Sequence, residues 1–396
     1  MPTPTYCPNP ACPHHVAPPP GWRVRFGTYP TIAHGTVQRY RCRACGRTMG
    51  DQTESVHYFA KRRLPLRAIW ATLAGGACLR EAACRYHTSP LAIQNAVLRL
   101  GRQAMAAQAH LLHHLAPRSQ VVFDGLRSYV VAKDHPCDLT TVVDRPGETI
   151  LTITHTIMGR GGTMTPAQAA RNEEKMEVWQ PQPGTFTRDL TVLVDEIWDY
   201  LRPCIEPKAI IDTDEQPTYK TVIDAHLCTR HFRKANLVTH RRTLSTAPRD
   251  QNSPLFPVNY VDRLLRHRVK EHMRKTIAFG RHASLQMHRA WIFAWEHNLR
   301  RPWRVRPAGL PPHAEHGTDL LPAAVEAGAL TGVQRQFFTR RIRLLGTSVP
   351  RTMRRVWQAE LPTPPVLWRK GQKGTTVRVP WYAIRDLAQA NQQGCG

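Results

Sequence analysis

The chain has 396 residues, 55 Lys and Arg against 29 Asp and Glu, a net charge of +26 and a pI near 10.4. That length allows two or three domains, and that charge favours polyanions, nucleic acid before an anionic membrane surface. Ten Trp, ten Tyr and ten Phe argue against a disordered basic tail, and no apolar run approaches the roughly 20 residues of a spanning helix.

The N-terminus has neither the charged start nor the apolar stretch of a signal peptide. A soluble, cytoplasmic, nucleoid-associated protein is expected, with its cysteines kept reduced. Four of the ten cysteines form two close pairs: Cys7 and Cys12, then Cys42 and Cys45 after a 29-residue gap. Two such turns, each presenting two thiolates, make a tetrahedral zinc shell. His14 and His15 are the alternatives to Cys12. Cys78, Cys84, Cys137, Cys204, Cys228 and Cys395 have no ligand spacing. Arg41, Arg43 and Arg47 thread the second pair and would hold a phosphate backbone against a zinc ribbon at 1–56.

Apolar residues at helical spacing from Arg62 to Leu73 predict a helix broken by Gly75 and Gly76. A short helix follows from Leu79 to Tyr86. Ser89 and Pro90 then supply an N-cap and first-turn proline for a helix from Leu91 to Leu100. This is the outline of a helix-turn-helix at 57–115, with Gln94, Asn95 and Arg99 reaching bases or phosphates. A plain helical hairpin has the same outline.

From Gln120 to Val131 the β-branched enrichment predicts a buried strand. Strands at Leu139–Val143 and Glu148–His155 would complete an antiparallel meander. A helical insertion at 160–203 ends in a helix from Leu190 to Leu201, and Lys208–Asp212 predicts a strand crossing back in parallel. The sum is an α/β layer of ribonuclease H-like outline at 116–305. From Asn259 to Arg306 the chain carries twelve Lys or Arg against three Asp or Glu, on a helical pattern. Residues 306–396 read as a basic C-terminal accessory region. The fold class is thus multidomain α+β.

Asp124 lies within an apolar strand, where an uncompensated charge is costly. Asp214 follows the other buried strand by two residues. Carboxylates at the ends of neighbouring strands suit magnesium or manganese, hard cations that prefer oxygen. Asp262, among Arg263, Arg266 and Arg268, would be the third acid of a two-metal phosphoryl-transfer site. Each has a plainer reading: Asp124 shaping a turn beside Gly125, Asp214 a turn residue with Asp212 the ligand instead, Asp262 pairing with Arg266 one helical turn on.

Taken together, these motifs resemble insertion-sequence DDE transposases with an N-terminal zinc ribbon and helix-turn-helix. The segment Gln38-Arg39-Tyr40-Arg41-Cys42-Arg43-Ala44-Cys45-Gly46-Arg47-Thr48 is similar to that family's ribbon end. Asp124 with Tyr129, and Asp214 with Tyr219, match its first two acids, each with a tyrosine five residues on. Arg266 to Gly280, including Arg274 and Lys275, is similar to its basic helix. The chain departs from the pattern in three places: Gly125 where a Glu usually follows the first acid, Met49 where an aromatic is usual, and Asn259 where the catalytic Glu would fall. Asp262, three residues later, lies on nearly the same helical face. The resemblance implies a homo-oligomeric enzyme that cuts and joins double-stranded DNA at element ends, with structural zinc and catalytic magnesium or manganese. A non-catalytic regulator derived from such an enzyme is the alternative, and an RNA-processing nuclease a third.

Overall fold

In the computed structural model, residues 3–301 and 349–365 are described, apart from 10, 54–56, 58–59, 116–117, 202–207, 245 and 274–278. The fold is mixed α+β. Three strands, β1 (Arg23–Thr31), β2 (Gly35–Cys42) and β3 (Thr48–Gly50), make an antiparallel sheet in that order. Its small core is Cys7, Cys12, Trp22, Cys42 and Met49, so Met49 fills the apolar position where an aromatic was expected.

Helices α1 (Leu66–Ala74), α2 (Leu79–Arg85) and α3 (Pro90–His114) follow. The Ser89 hydroxyl accepts from the Ala92 amide at 3.2 Å, with Pro90 in the first turn, as the sequence predicts. However, α3 does not stop at Leu100. It runs for 25 residues in all, from Pro90 to His114, because Gly101 is a packing residue and not a terminator. A Cβ there would sit 2.4 Å from Nδ1 of His288, so the missing side chain lets α3 close against α9 (Ala283–Trp295). Every residue of α9 is buried. Arg289 is tolerated there because it pairs with the equally buried Glu271 at 3.1 Å and donates to the Ala77 carbonyl.

The larger sheet contains β4 (Gln120–Tyr129), β5 (Pro136–Asp144), β6 (Ile150–Ile153), β8 (Ala209–Asp214) and β9 (Val238–Thr243), in the order β6-β5-β4-β8-β9. A two-residue strand, β7 (Thr156–Ile157), also pairs with β5. Strands β4, β5 and β6 are antiparallel neighbours, whereas β8 runs parallel to both β4 and β9. The parallel return is carried by the long connection through α4 (Pro166–Val178) and α5 (Thr185–Ile197). Helices α6 (Pro217–Ala225) and α7 (Leu227–Lys234) lie between β8 and β9, and α8 (Phe256–Arg268) packs across β4 and β5.

Buried apolar side chains from Leu66 to Leu361 form one connected cluster. The late helix α10 (Arg351–Trp357) is tied into it: Glu196 accepts from the Thr352 amide at 2.8 Å, and Arg355 meets Asp189 at 2.6 Å. Most of the accessory region expected at 306–396, namely 306–348 and 366–396, lies outside the described residues. Among the described residues no helix is long and apolar enough to cross a membrane.

Candidate functional site

The four predicted cysteines converge. Sγ of Cys7 is 3.5 Å from that of Cys45, Sγ of Cys12 is 3.7 Å from that of Cys42, and all four sulfurs lie within 4.8 Å of one another. Four thiolates around zinc, each at about 2.3 Å, stand about 3.8 Å apart, so the spacing fits that ion. Backbone turns build the cluster: the Gly46 amide donates to the Cys42 carbonyl at 3.0 Å, and Gly46 takes φ +70°, a conformation glycine adopts without strain. Burial raises the Cys7 and Cys12 thiols. Burial also acts on Cys45, but the Arg47 amide and the neighbouring thiols outweigh it and bring that thiol down to about 7. The two histidines stand outside the sulfur set: Nδ1 of His14 is 3.6 Å from Sγ of Cys42, and Nδ1 of His15 is 2.6 Å from the Cys7 carbonyl.

Arg41, Arg43 and Arg47 are exposed on this module, with the Arg41 guanidinium 5.6 Å from the centre of the Phe26 ring. On α3, Asn95 is exposed while Gln94 and Arg99 are half-buried, and burial lowers the Arg99 pKa. Arg274 and Lys275 lie outside the described residues.

The acids Asp124 and Asp214 share one cleft of about 510 Å³, also lined by Arg127, Ser128, Tyr129, Arg249, Arg266 and His272. The strand register explains the meeting. Val122 pairs with Asp212 across the parallel β4–β8 ladder, so two residues further on Asp124 is level with Asp214. The two acids lie just past the last paired position, near enough for the charge of Asp214 to raise the Asp124 pKa. Asp212 does not line the cleft. Its side chain is fully buried and held by Arg241 at 2.5 and 3.0 Å and by Gln120 at 2.6 Å.

Asp124 accepts from the Gly125 amide at 2.7 Å. Burial, and then the charge of Asp214, push its carboxyl up to about 7. Asp262 is on α8 and does not line the cleft. It is 8% exposed, and burial followed by the charge of Asp124 lifts its pKa well above the ordinary value. Its Oδ1 and the Thr141 hydroxyl are both buried without a hydrogen bond of good geometry, but Thr141 lies near enough to favour the charged form of Asp262. Asn259 is half-buried one turn earlier. Among the described residues the cysteines are the one group of three or more such donors meeting within 4.8 Å, so the three acids do not converge that tightly.

Sequence reasoning did not find Asp138, Arg127, Arg249 or His272. Asp138 carried the signal used for Asp124, an acid within an apolar strand. It is 1% exposed, accepts from Thr140 at 2.7 Å and pairs with Arg127 at 3.2 Å. His272 carried no such signal. Burial holds it at about 3, hence neutral, with Nδ1 3.0 Å from the Ser128 hydroxyl.

No protein-family model and no curated protein sequence matches this chain. Among solved structures it is similar to a chain in the cryo-EM structure of the simian T-cell lymphotropic virus intasome in complex with the PP2A regulatory subunit B56 gamma. Identity is 12% and the TM-score 0.24, over 51% of this chain and 55% of that one. The chain thus spans about half the length of the one it matches. A likeness of that size carries no argument.

Proposed function

We propose that this protein is a divalent-metal-dependent polynucleotidyl transferase that cuts and joins DNA strands, a transposase acting at the ends of its element. The observation that carries the reading is the level pair Asp124 and Asp214, on adjacent parallel strands, in a cleft walled by Arg127, Arg249 and Arg266. Two carboxylates on one basic surface suit a reaction whose substrate is itself anionic.

In this reading Asp124 and Asp214 would hold magnesium or manganese, and Asp262 is the third acid. The burial of Asp262 and the action of the Asp124 charge on it support that assignment, since a buried carboxylate gains from a cation. Bound metal would activate the attacking water or 3′-hydroxyl and stabilise the leaving oxygen. The three arginines would neutralise the phosphates on either side. The zinc-holding module, with Arg41, Arg43 and Arg47, and the helix pair ending in α3, with Gln94, Asn95 and Arg99, would recognise the element ends. Arg274 and Lys275 are proposed as further backbone contacts. The four expected domains, at 1–56, 57–115, 116–305 and 306–396, and a homo-oligomeric assembly on double-stranded DNA belong to the same proposal.

The test is cleavage and joining of the gene's own flanking DNA with magnesium or manganese, for wild type beside Asp124→Asn. Activity is expected in the wild type and not in the variant, with end binding retained by both; equal cleavage by the two would remove Asp124 from the chemistry. One observation favours a second reading. The three acids do not converge within 4.8 Å, as in a non-catalytic DNA-binding regulator. Tight binding by the wild type with no cleavage under any divalent metal would select it.

A further inference from the structure

Gly125 stands beside the first acid of the cleft, where a larger residue was expected, and the structure gives it a reason. A Cβ at this position would lie 2.4 Å from Oδ2 and 2.8 Å from Oδ1 of Asp138. The carboxylate of β5 therefore occupies the space that a side chain of residue 125 would need. It is not free to yield, because it is buried, bonded to Thr140 and paired with Arg127.

Strand register makes this a linked set. Gly125 is opposite Thr140 and Arg127 is opposite Asp138, so alternation puts these four residues on one face of the sheet and Asp124, opposite Thr141, on the other. Gly125 and Arg127 line the cleft, and Arg127 is the member that brings a charge to it. Its guanidinium is held by Asp138, by Sδ of Met158 and by the Phe186 ring, whose centre is 6.0 Å away. The side chain remains 51% exposed. A guanidinium fixed on its inner side and open on its outer side is pre-organised for a phosphate, which takes two of its parallel donors.

We infer that Asp138 is a positioning residue that aims Arg127 as a clamp on a DNA backbone phosphate at the mouth of the acid cleft, and that Gly125 is glycine to make room for it. The inference rests on the proposed nucleic-acid substrate, but binding tests it separately from cleavage. Full-length zinc-loaded protein is titrated with duplex carrying the gene's flanking sequence over a series of KCl concentrations, without magnesium. The variants are Arg127→Ala, Arg127→Lys, Asp138→Asn, Gly125→Ala and the double variant Arg127→Ala/Asp138→Asn.

Losing one phosphate contact should reduce the slope of log affinity against log salt by about 0.9. Arg127→Ala should show that reduction and bind about tenfold more weakly. Asp138→Asn and Gly125→Ala, which both keep Arg127, should behave in the same way, and the double variant should lose nothing more. Arg127→Lys should keep the slope and lose affinity, having the charge without the fork. Wild-type slope and affinity in Asp138→Asn, beside a weakened Arg127→Ala, would overturn the positioning role. An Arg127→Ala protein that binds like wild type would overturn the clamp, and truncation at this half-exposed position keeps that arm readable whether or not Asp138→Asn folds. If the slopes change as expected while the wild type never cuts DNA, the clamp stands and the transferase reading falls.

Discussion

The charge on Asp124 should destabilise the metal-free fold, and Asp124→Asn should remove that cost. A carboxyl whose pKa moves from 3.8 to about 7 on folding holds its proton more tightly in the native state. The native form is therefore favoured at low pH, and that advantage disappears as pH rises through the folded value. At about 1.36 kcal/mol per pH unit, ionising Asp124 in the fold costs about 4 kcal/mol once pH is above about 7, and about 2 kcal/mol near pH 5. Asparagine keeps the shape and can still accept from the Gly125 amide, but it carries no charge toward Asp214.

In magnesium-free buffer that retains zinc, Asp124→Asn should be the more stable protein at about pH 8, with the gap closing below about pH 4. Thermal unfolding at a series of pH values reads this directly. Added manganese should then stabilise the wild type, by about 2.7 kcal/mol at a hundredfold excess over its Kd, and stabilise the variant much less. A pH-independent offset between the two proteins, or an asparagine variant less stable at high pH, would refute the claim that burial and the neighbouring acid are what Asp124 works against.

Four other outcomes are expected. Metal analysis should find zinc in the wild type and none at the cluster in Cys45→Ser, which should also bind ends more weakly; unchanged zinc content would dissociate Cys45 from the cluster. Asp212→Asn should lower stability by about 2–3 kcal/mol through loss of the Arg241 pair while folded molecules still cut DNA, whereas Asp214→Asn should do the reverse; denaturation and cleavage measured on both would expose an exchange of roles. Gly101→Ala should destabilise by about 1–3 kcal/mol, since the collision with His288 outweighs the helical gain of about 1 kcal/mol from alanine, and a more stable variant in thermal unfolding would contradict the close α3–α9 contact. Asp262→Asn should weaken manganese binding in calorimetry while Asn259→Ala does not; the opposite pair of results would move the third ligand to Asn259.

Periodicity located most of the elements that build the cleft. The apolar run at Gln120–Val131 matches β4, and Lys208–Asp212 lies over the start of β8, whose parallel return the long connection also implied. What periodicity could not separate was a helix buried on every side. Residues Ala283–Trp295 carry Gln, His and Arg among their apolar residues, and in sequence they were only part of a basic helical stretch over 259–306. The burial of Arg289 becomes legible only once Glu271, eighteen residues earlier, is in place beside it. Gly101 was similarly opaque, because a glycine that ends a helix and one that lets two helices touch look the same in sequence. β9 (Val238–Thr243) was not foreseen, its Thr-His-Arg-Arg-Thr stretch having none of the apolar alternation that marks a half-buried strand. In the cleft, the ladder offset between Val122 and Asp212 makes Asp124 and Asp214 level, and no spacing within either strand contains that offset.

The distribution of charge bears on how a polyanion would enter such a cleft. The chain is net positive by 26, yet Asp124, Asp138, Asp214 and Asp262 influence one another at its centre, and the pKa values of three of them are raised. Surface arginines would draw DNA from a distance, while the acids repel the phosphate that arrives beside them. A divalent cation reverses the sign at that one place without altering the surface field. Binding to the exposed arginines should therefore be nearly indifferent to magnesium, and contact between DNA and the Asp124–Asp214 pair should require it. Footprinting with and without magnesium separates the two: protection that appears only with the metal, and only in protein that retains Asp124, is the pattern this charge arrangement demands.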